Sequence, residues 1–274
     1  MSNVSEEFQA RIVYAIPQMQ RVSLERDLVY KTVDATTLRL DVYYPPATDK
    51  ALSYPTVILM HGEAPQEMLA NPKDWGQFVS WAELLAAHGF VAVTFNRRST
   101  EWFTKLSEAT ADITDLLTYL QQHASTLAID WQQLGVWVCS GGTLAASSAL
   151  RHYHGLRLRA LAAYYPRMSL HTIRANLAPM LESTLDAYDT RHLLTRTPPH
   201  DRPALFIARA GQDDRPGLNE ALDQFLAHAL EANVALTLMT HPEGGHFFDV
   251  EADDERSREI IRQTVAFFQQ HVKQ

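Results

Sequence analysis

The stretch Leu134-Gly135-Val136-Trp137-Val138-Cys139-Ser140-Gly141-Gly142-Thr143 decides the fold of this chain. Its first half is an apolar run typical of a buried β-strand, and a helix of small residues is predicted over 142–151 directly after it. A strand passes at once into a helix only through a sharp turn, where a strained backbone favours small residues such as Gly141 and Gly142. The stretch therefore predicts a strand–turn–helix unit whose turn lies at the edge of a sheet.

Strand and helix patterns alternate on both sides of this unit. Apolar runs rich in β-forming residues predict strands at 28–33, 38–44, 56–60, 91–95, 134–138, 161–165, 205–208 and 234–239. Helical spacing of apolar residues predicts further helices within 74–88 and around 113–120, 222–229 and 260–268. The first two strands flank a turn at Asp34-Ala35-Thr36 and are predicted to pair antiparallel. The later alternation predicts an α/β fold with a mostly parallel central sheet and helices on both faces.

The chain is predicted to form a single domain over residues 1–274. This length is at the upper end of what one core usually serves, and no repeat, low-complexity segment or Gly/Ser linker divides the chain. Residues 1–21 are predicted to be an N-terminal extension. Residues 166–203 break the alternation, with several prolines and patchy helical spacing, and are predicted to be a short cap-like insertion over the site.

Charge and composition exclude several classes of protein. The formal net charge of −8 argues against a nucleic-acid-binding surface, which needs clustered Lys and Arg. Cys139 is the one cysteine, so no intrachain disulfide can form. Residues 1–10 lack the apolar run of a signal peptide, and no apolar stretch approaches the roughly 18 residues of a transmembrane helix. We expect a soluble cytoplasmic protein that binds neither nucleic acid nor membrane, and the oligomeric state is left open.

Ser140 is the candidate nucleophile. In a nucleophile elbow, the turn after a strand exposes the serine, and the N-terminus of the next helix favours developing negative charge. Val138 departs from the motif, which has a small residue two positions before the nucleophile. Counting back from the double glycine makes Cys139 the alternative nucleophile, but that register puts the bulky Trp137 at the small position. Ser140 is therefore preferred, and Cys139 is then a small buried residue.

A histidine and two aspartates follow later strands. His246 lies on a loop rich in Pro and Gly after the last predicted strand, so it can reach over the turn as the general base. His241, at the strand's end, is expected to pack or hydrogen-bond locally. The strand at 205–208 leads into Asp213 and Asp214, and either carboxylate could orient the imidazole.

The loop after the strand at 56–60 is the second part of the expected site. The backbone N–H groups of Gly141 and Glu63 are the expected oxyanion donors, and His61 and Gly62 are expected to contact the substrate. The Glu63 carboxylate either faces the substrate or is solvated, and the sequence does not decide between these. Trp75 is best explained as core or rim of the first predicted helix; lining the substrate pocket is the alternative.

From about residue 22 to residue 272 the chain resembles the α/β-hydrolase superfamily, and it looks closest to the dienelactone-hydrolase-like and carboxylesterase-like branches. The matching motifs are Leu40-Asp41-Val42-Tyr43-Tyr44-Pro45, His61-Gly62, Phe95-Asn96-Arg97-Arg98-Ser99, the turn at Ser140, Arg209-Ala210-Gly211-Gln212-Asp213, and His241-Pro242 through His246-Phe247-Phe248. The order Ser, Asp, His along the chain also matches this fold.

The resemblance implies hydrolysis of a small ester, lactone or related acyl bond, without a cofactor, through an acyl-enzyme on Ser140 with His246 as base. The Ala-Gly-x-Asp form resembles that of hormone-sensitive-lipase-type esterases, which gives the acid role to Asp213. The Gly-x-x-Asp form of other branches would give it to Asp214. The alternative function, motivated by Val138, is a catalytically silent member of the fold that binds a small molecule or a partner.

No metal site is expected. His152-Tyr153-His154 and the pair His241 and His246 could be taken for metal ligands. Residues two apart on a helix do not share a face, and no cysteine or carboxylate cluster completes a zinc set. Arg97, after the strand at 91–95, is expected to tie down loops; binding an acidic substrate group is its alternative role.

Overall fold

Eight strands form one sheet in the computed structural model, which describes residues 6–64, 69, 71–153, 156–177, 179–191 and 202–273. The strands are β1 (Ser23–Val33), β2 (Thr36–Tyr44), β3 (Tyr54–Met60), β4 (Val91–Phe95), β5 (Ile129–Cys139), β6 (Leu158–Tyr164), β7 (Ala204–Ala210) and β8 (Leu236–His241). Their order across the sheet is β1-β2-β4-β3-β5-β6-β7-β8. β2 pairs antiparallel with β1 and β4, and the other pairs are parallel. The carboxyl ends of β3 to β8 therefore meet at one edge.

Helices cover both faces of the sheet. They are α1 (Gly76–Ala87), α2 (Leu106–Gln122), α3 (Gly142–His152), α4 (Glu182–Ala187), α5 (Leu218–Glu231), α6 (Phe248–Glu251) and α7 (Glu255–Val272). Alternate residues of each central strand pack on opposite faces. In β3, Val57 and Leu59 join a core with α1 and α7, whereas Ile58 and Met60 join a core with α2, α3 and α5. Burial on both faces explains why the parallel strands are nearly continuous apolar runs.

This architecture confirms the predicted α/β class, with a mostly parallel sheet between two layers of helices. All eight predicted strands are present, and β1 and β2 form the predicted antiparallel pair. β5 is longer than predicted because it begins at Ile129, opposite Tyr54 of β3. β6 ends at Tyr164, one residue before the predicted end, because Tyr165 turns the chain with a positive φ of 34°.

The predicted extension and insertion are described in part. Short 3₁₀ helices span Glu6–Gln9 and Pro17–Arg21 in the N-terminal extension, and both lie against α1. The predicted insertion contains a 3₁₀ helix, His171–Asn176, followed by α4. Residues 1–5, 178 and 192–201 of these segments, and His154 of the histidine pair, lie outside the described residues. The single-domain organisation and the cap-like role stay predictions.

Candidate active site

Ser140 occupies the sharp turn between β5 and α3. Its φ is +51°, a left-handed conformation that is strained for a residue other than glycine. Neighbouring segments hold the turn: the Ser140 N–H donates to the Tyr164 carbonyl at 3.0 Å, and the Arg167 N–H donates to the Ser140 carbonyl at 3.0 Å. Such bonds allow the strain to persist. Ser140 remains partly exposed at the carboxyl edge of the sheet.

The packing behind this turn explains both its glycine and its valine. A Cβ on Gly142 would lie 2.2 Å from the carbonyl oxygen of His61, so no side chain fits there. Val138 is fully buried, and its partner on β6 is the small residue Ala163. The small residues Ala163 and Gly142 therefore leave room for the larger side chain at this position, although its partner on β3 is Met60.

Ser140, His246 and Asp213 form a chain of hydrogen bonds. Nε2 of His246 lies 3.0 Å from Oγ of Ser140, and Nδ1 lies 2.6 Å from Oδ2 of Asp213. An ionised carboxylate only accepts, so Nδ1 carries the proton and Nε2 accepts from the serine hydroxyl. The Asp213 side chain is fully buried, and its other oxygen accepts from the Arg215 N–H at 3.0 Å. A serine hydroxyl, an imidazole and a carboxylate joined in this order are the arrangement that a nucleophile, its general base and a group orienting the base require.

The two alternative residues lie away from this chain of hydrogen bonds. The Asp214 side chain is 80% exposed and pairs with Arg215 at 3.3 Å. Cys139 is buried in the core beneath α1 and α7. Burial raises the pKa of the Cys139 thiol far above its ordinary value, so the thiol is neutral and a poor nucleophile.

The loop after β3 brings a second backbone N–H beside the turn. A Cβ on Gly141 would lie 3.0 Å from Cβ of Glu63 and 2.8 Å from Cε1 of Phe103, so Gly141 and Glu63 are close neighbours. Within the described ranges, neither the Gly141 N–H nor the Glu63 N–H has a hydrogen-bond acceptor. Two such N–H groups beside the serine hydroxyl can bind an oxyanion.

The Glu63 carboxylate faces neither the substrate side nor the solvent, the two alternatives that the sequence offers. Its side chain is 3% exposed, and Oε1 accepts from Ser99 Oγ at 2.9 Å and from the Thr100 N–H at 3.0 Å. Oε2 lies 3.6 Å from Nη2 of Arg97. The same Nη2 donates to the carbonyls of the two preceding loop residues, at 3.2 and 2.9 Å. These contacts fix the loop that carries the Glu63 N–H, which is the loop-tying role expected for Arg97.

His61 lies beneath this loop and is almost fully buried. Nδ1 donates to the Gly62 carbonyl at 2.9 Å, whereas Nε2 is buried without a partner among the described residues. Burial and, secondarily, the charge of Arg97 hold the pKa of His61 well below its usual range, so the ring is neutral. This packing favours support of the loop over the substrate contact predicted for His61. Gly62 does lie beside Ser140, since a Cβ on Gly62 would be 3.0 Å from Cβ of Ser140.

The sequence analysis missed the residues that lie behind the His246 ring. Tyr165 packs on the imidazole with ring centroids 4.4 Å apart, and its hydroxyl donates to Oδ1 of Asp249 at 3.0 Å. Oδ2 of Asp249 accepts from Gln77 at 2.9 Å and from the Trp81 indole at 2.8 Å. Burial raises the pKa of the Asp249 carboxyl, and these donors oppose the rise. These residues hold the imidazole ring of His246 in its orientation, and no spacing in the sequence links them.

Trp75 and His241 lie in packed surroundings. Trp75 stacks on Phe8 with ring centroids 4.3 Å apart and packs against the α1 side of the core. This contact favours the core or rim role, and a substrate contact of Trp75 stays a prediction. Nε2 of His241 lies 3.0 Å from Asp254, which is the local hydrogen bond expected for it.

One group of side chains in the described ranges has the composition of a metal site. His171, Glu182 and Asp186 bring ligand atoms within 4.8 Å of one another near the surface. Glu182 also pairs with the guanidinium of Arg174, which already supplies a cation to this group. Exposed acidic groups are common without a metal, and we assign none here.

A protein-family model, BD-FAE, matches residues 40–176, half of the chain, and the protein belongs to this family. The matched segment runs from β2 into the 3₁₀ helix after β6, and it includes Ser140 and Glu63. Asp213 and His246 lie beyond it. No curated protein matches the chain.

Solved structures of esterases share the fold. Thermogutta terrifontis esterase 2 phosphoramylated by tabun is 19% identical, with 93% of this chain and 96% of that chain covered and a TM-score of 0.70. The propionate-bound form of that esterase is 21% identical, with 93% and 96% covered and a TM-score of 0.67. Esterase B of Lactobacillus rhamnosis with a tributyrin phosphonate is 16% identical, with 93% and 87% covered and a TM-score of 0.70. The chain therefore has the predicted α/β-hydrolase fold.

Within the part of the chain that the structure describes, no helix has the length and apolar character needed to cross a bilayer.

Proposed function

We propose that this protein is a serine hydrolase that cleaves a small carboxyl ester, lactone or related acyl bond. The observation that carries the proposal is the hydrogen-bonded chain from Ser140 through His246 to the buried Asp213. Two further features support it. Beside Ser140 lie two N–H groups that have no acceptor among the described residues. Thermogutta terrifontis esterase 2, which has the same fold, is phosphorylated by paraoxon and phosphonylated by cyclosarin in its solved structures.

In the proposed reaction, Oγ of Ser140 attacks the substrate carbonyl while Nε2 of His246 accepts the hydroxyl proton. The carbonyl oxygen becomes an oxyanion, which the N–H groups of Gly141 and Glu63 stabilise. His246 then gives the proton to the departing alcohol oxygen, and the acyl group stays on Ser140. Water attacks this acyl-enzyme, again losing a proton to His246, and the acid is released. Asp213 holds the imidazole in the tautomer that these transfers need.

The acyl preference is part of the proposal. Phe103 packs against Gly141, and its ring is nearly buried, which restricts the space beside the oxyanion site. Short acyl chains are therefore the expected substrates. A carboxylesterase and a dienelactone-hydrolase-like enzyme both fit this description, and a comparison of short linear esters with lactones distinguishes them.

The test is hydrolysis of short p-nitrophenyl esters by the wild type, Ser140→Ala and Cys139→Ala. Wild-type turnover is expected, and loss of the nucleophile should lower kcat by roughly a millionfold. Cys139→Ala is the matched control, because it removes the neighbouring alternative nucleophile and should keep activity. Turnover by Ser140→Ala contradicts the proposal. So does a folded wild type that hydrolyses no ester or lactone of a panel, the result that a catalytically silent member would give.

A further inference from the structure

Arg167 lies between the turn at Ser140 and the loop that carries Asp213. Its backbone N–H donates to the Ser140 carbonyl at 3.0 Å. On the other side, Nη2 of its guanidinium donates to the Pro216 carbonyl at 3.1 Å. The guanidinium carbon lies 5.8 Å from the centroid of the Phe103 ring, whose edge packs against the expected oxyanion site. The positive charge of Arg167 is therefore close to the candidate site.

Arg167 has a carbonyl and an aromatic ring as neighbours, but no carboxylate in the described part of the chain forms a salt bridge with it. Nη1 is buried without a hydrogen bond, and Arg167 as a whole is only 6% exposed. Asp213 is the carboxylate whose charge acts on Arg167, but its oxygens are engaged by His246 and by the Arg215 N–H. Burial lowers the pKa of Arg167, although a guanidinium stays protonated in proteins.

Buried cations in folded proteins are nearly always paired, because an unpaired one loses its hydration without compensation. Arg167 has no salt bridge among the described residues, and its buried Nη1 still has the capacity to donate to an anion. The position of Arg167 beside Ser140 makes the substrate the natural source of that anion. A planar carboxylate suits a guanidinium best, since both groups are planar and their hydrogen bonds are charge-assisted.

We propose that Arg167 binds a carboxylate carried by the substrate, so that this protein favours anionic esters over neutral esters of similar size. The inference rests on the proposed hydrolase function. It assigns the specificity of the site to a residue that takes no part in proton transfer or in nucleophilic attack.

A carboxylate can reach Nη1 of Arg167 only if the Phe103 ring, in the segment before α2, moves aside. Glu101, Trp102 and Phe103 have φ values of +47°, +53° and +76°, a strained run for residues other than glycine. Trp102 is 59% exposed, whereas Phe103 lies over the guanidinium. In the proposed complex the Phe103 ring turns aside so that Nη1 meets the carboxylate, whereas with a neutral ester the ring stays against Gly141.

The experiment compares kcat/KM for two matched pairs of esters. In the first pair, p-nitrophenyl hydrogen glutarate carries the carboxylate on the acyl group, and p-nitrophenyl pentanoate is its neutral counterpart. In the second pair, acetylated para-hydroxybenzoate carries the carboxylate on the alcohol part of the ester. The same compound with that carboxylate methylated is its neutral counterpart. The wild type should prefer the anionic member of one pair, and the preferred pair identifies the side of the substrate that Arg167 contacts. Arg167→Met should lower that preference about tenfold or more, the usual effect of losing a hydrogen bond to a charged group.

Arg215→Met is the matched control. It removes a positive charge from the same neighbourhood, but its side chain is half exposed and only its backbone N–H binds Asp213. This variant should keep the anionic preference, and Arg167→Lys should keep part of it. An equal loss of preference in Arg167→Met and Arg215→Met would show that the preference comes from the overall positive charge near the site. That result would overturn the proposal.

A purely structural role for Arg167 gives a different result. In that case Arg167→Met lowers the melting temperature and reduces kcat/KM for anionic and neutral esters alike, which overturns the inference. If Arg167 instead serves the substrate, removal of its unpaired buried charge should leave the melting temperature unchanged or raise it.

Calorimetric binding separates this inference from the proposed function. Glutarate and para-hydroxybenzoate should bind to Ser140→Ala, and this binding is measured without any catalytic turnover. The double variant Ser140→Ala/Arg167→Met should lose the binding. A wild type without esterase activity would refute the proposed function, yet loss of anion binding in the double variant would still support the Arg167 site. Equal binding by both variants, or no binding by either, refutes the site.

Discussion

Replacement of Asp213 by asparagine should nearly abolish turnover, and the structure explains how. Oδ1 of Asp213 accepts from the Arg215 N–H at 3.0 Å, so the carbonyl oxygen of an asparagine must take that position. The amide NH₂ then replaces Oδ2, which lies 2.6 Å from Nδ1 of His246. Two donors cannot face each other, so the imidazole proton moves to Nε2. His246 then donates towards Ser140 instead of accepting its proton.

The expected loss is large because the base is in the wrong tautomer while the geometry is kept. The same substitution in serine proteases lowers kcat by about 10⁴-fold, which corresponds to about 5 kcal/mol in the activation barrier. The assay is kcat for a short p-nitrophenyl ester at neutral pH. Asp214→Asn is the matched control: its side chain is 80% exposed, and kcat should change less than about twofold because the exposed pair with Arg215 contributes little. An Asp213→Asn enzyme with near-normal kcat would refute the reasoning, as would an equal loss in Asp214→Asn.

Three further predictions concern close packing and burial around the site. Gly142→Ala should destabilise the protein by about 3 kcal/mol or more in urea unfolding, because its Cβ would lie 2.2 Å from the His61 carbonyl oxygen. Gly245→Ala, whose Cβ would meet nothing closer than 3.9 Å, should change stability by less than about 0.5 kcal/mol; equal effects would contradict the packing argument. Burial lowers the folded-state pKa of His61, so the unfolded chain takes up the proton first as the pH falls. The free energy of unfolding should therefore fall by up to about 1.4 kcal/mol per pH unit below pH ~6.5, and His61→Asn should flatten this dependence; unchanged slopes would show that His61 is not the cause. The buried Cys139 thiol should resist iodoacetamide in the native state, and rapid alkylation with loss of activity would reopen its role as nucleophile.

The sheet and its two layers of helices could be predicted from the sequence because the buried strands and helices carry a clear apolar periodicity. The sequence pattern underestimated β5, whose first residues include Asp130, Gln132 and Gln133 and therefore lack the apolar run of the remainder. Those residues join the strand through backbone pairing, which side-chain patterns do not report.

Part of the candidate site could also be proposed from the sequence. Ser140 stands out because a strand, a turn and two glycines surround it, and His246 because its loop follows the last strand. The choice of Asp213 over Asp214 came from a resemblance, since adjacent aspartates give no internal signal. The hydrogen bond from His246 to Asp213 and the exposure of Asp214 agree with that choice.

The remaining residues could not be found from local patterns. Tyr165, Asp249 and Arg167 meet the site only through contacts between segments that are far apart in the sequence. Their roles depend on hydrogen bonds and unpaired charge, which have no periodicity. The left-handed run that ends at Phe103 is similarly invisible, because it contains no glycine to indicate positive φ.

The central claim is that Ser140 is a nucleophile activated by His246, and covalent labelling with a fluorophosphonate tests it most directly. Peptide mass spectrometry of the labelled wild type should find one adduct, on Ser140, with loss of esterase activity in proportion to labelling. Folded His246→Ala should remain unlabelled under the same conditions. An adduct on Cys139 or elsewhere, or equal labelling of the wild type and His246→Ala, would contradict the account.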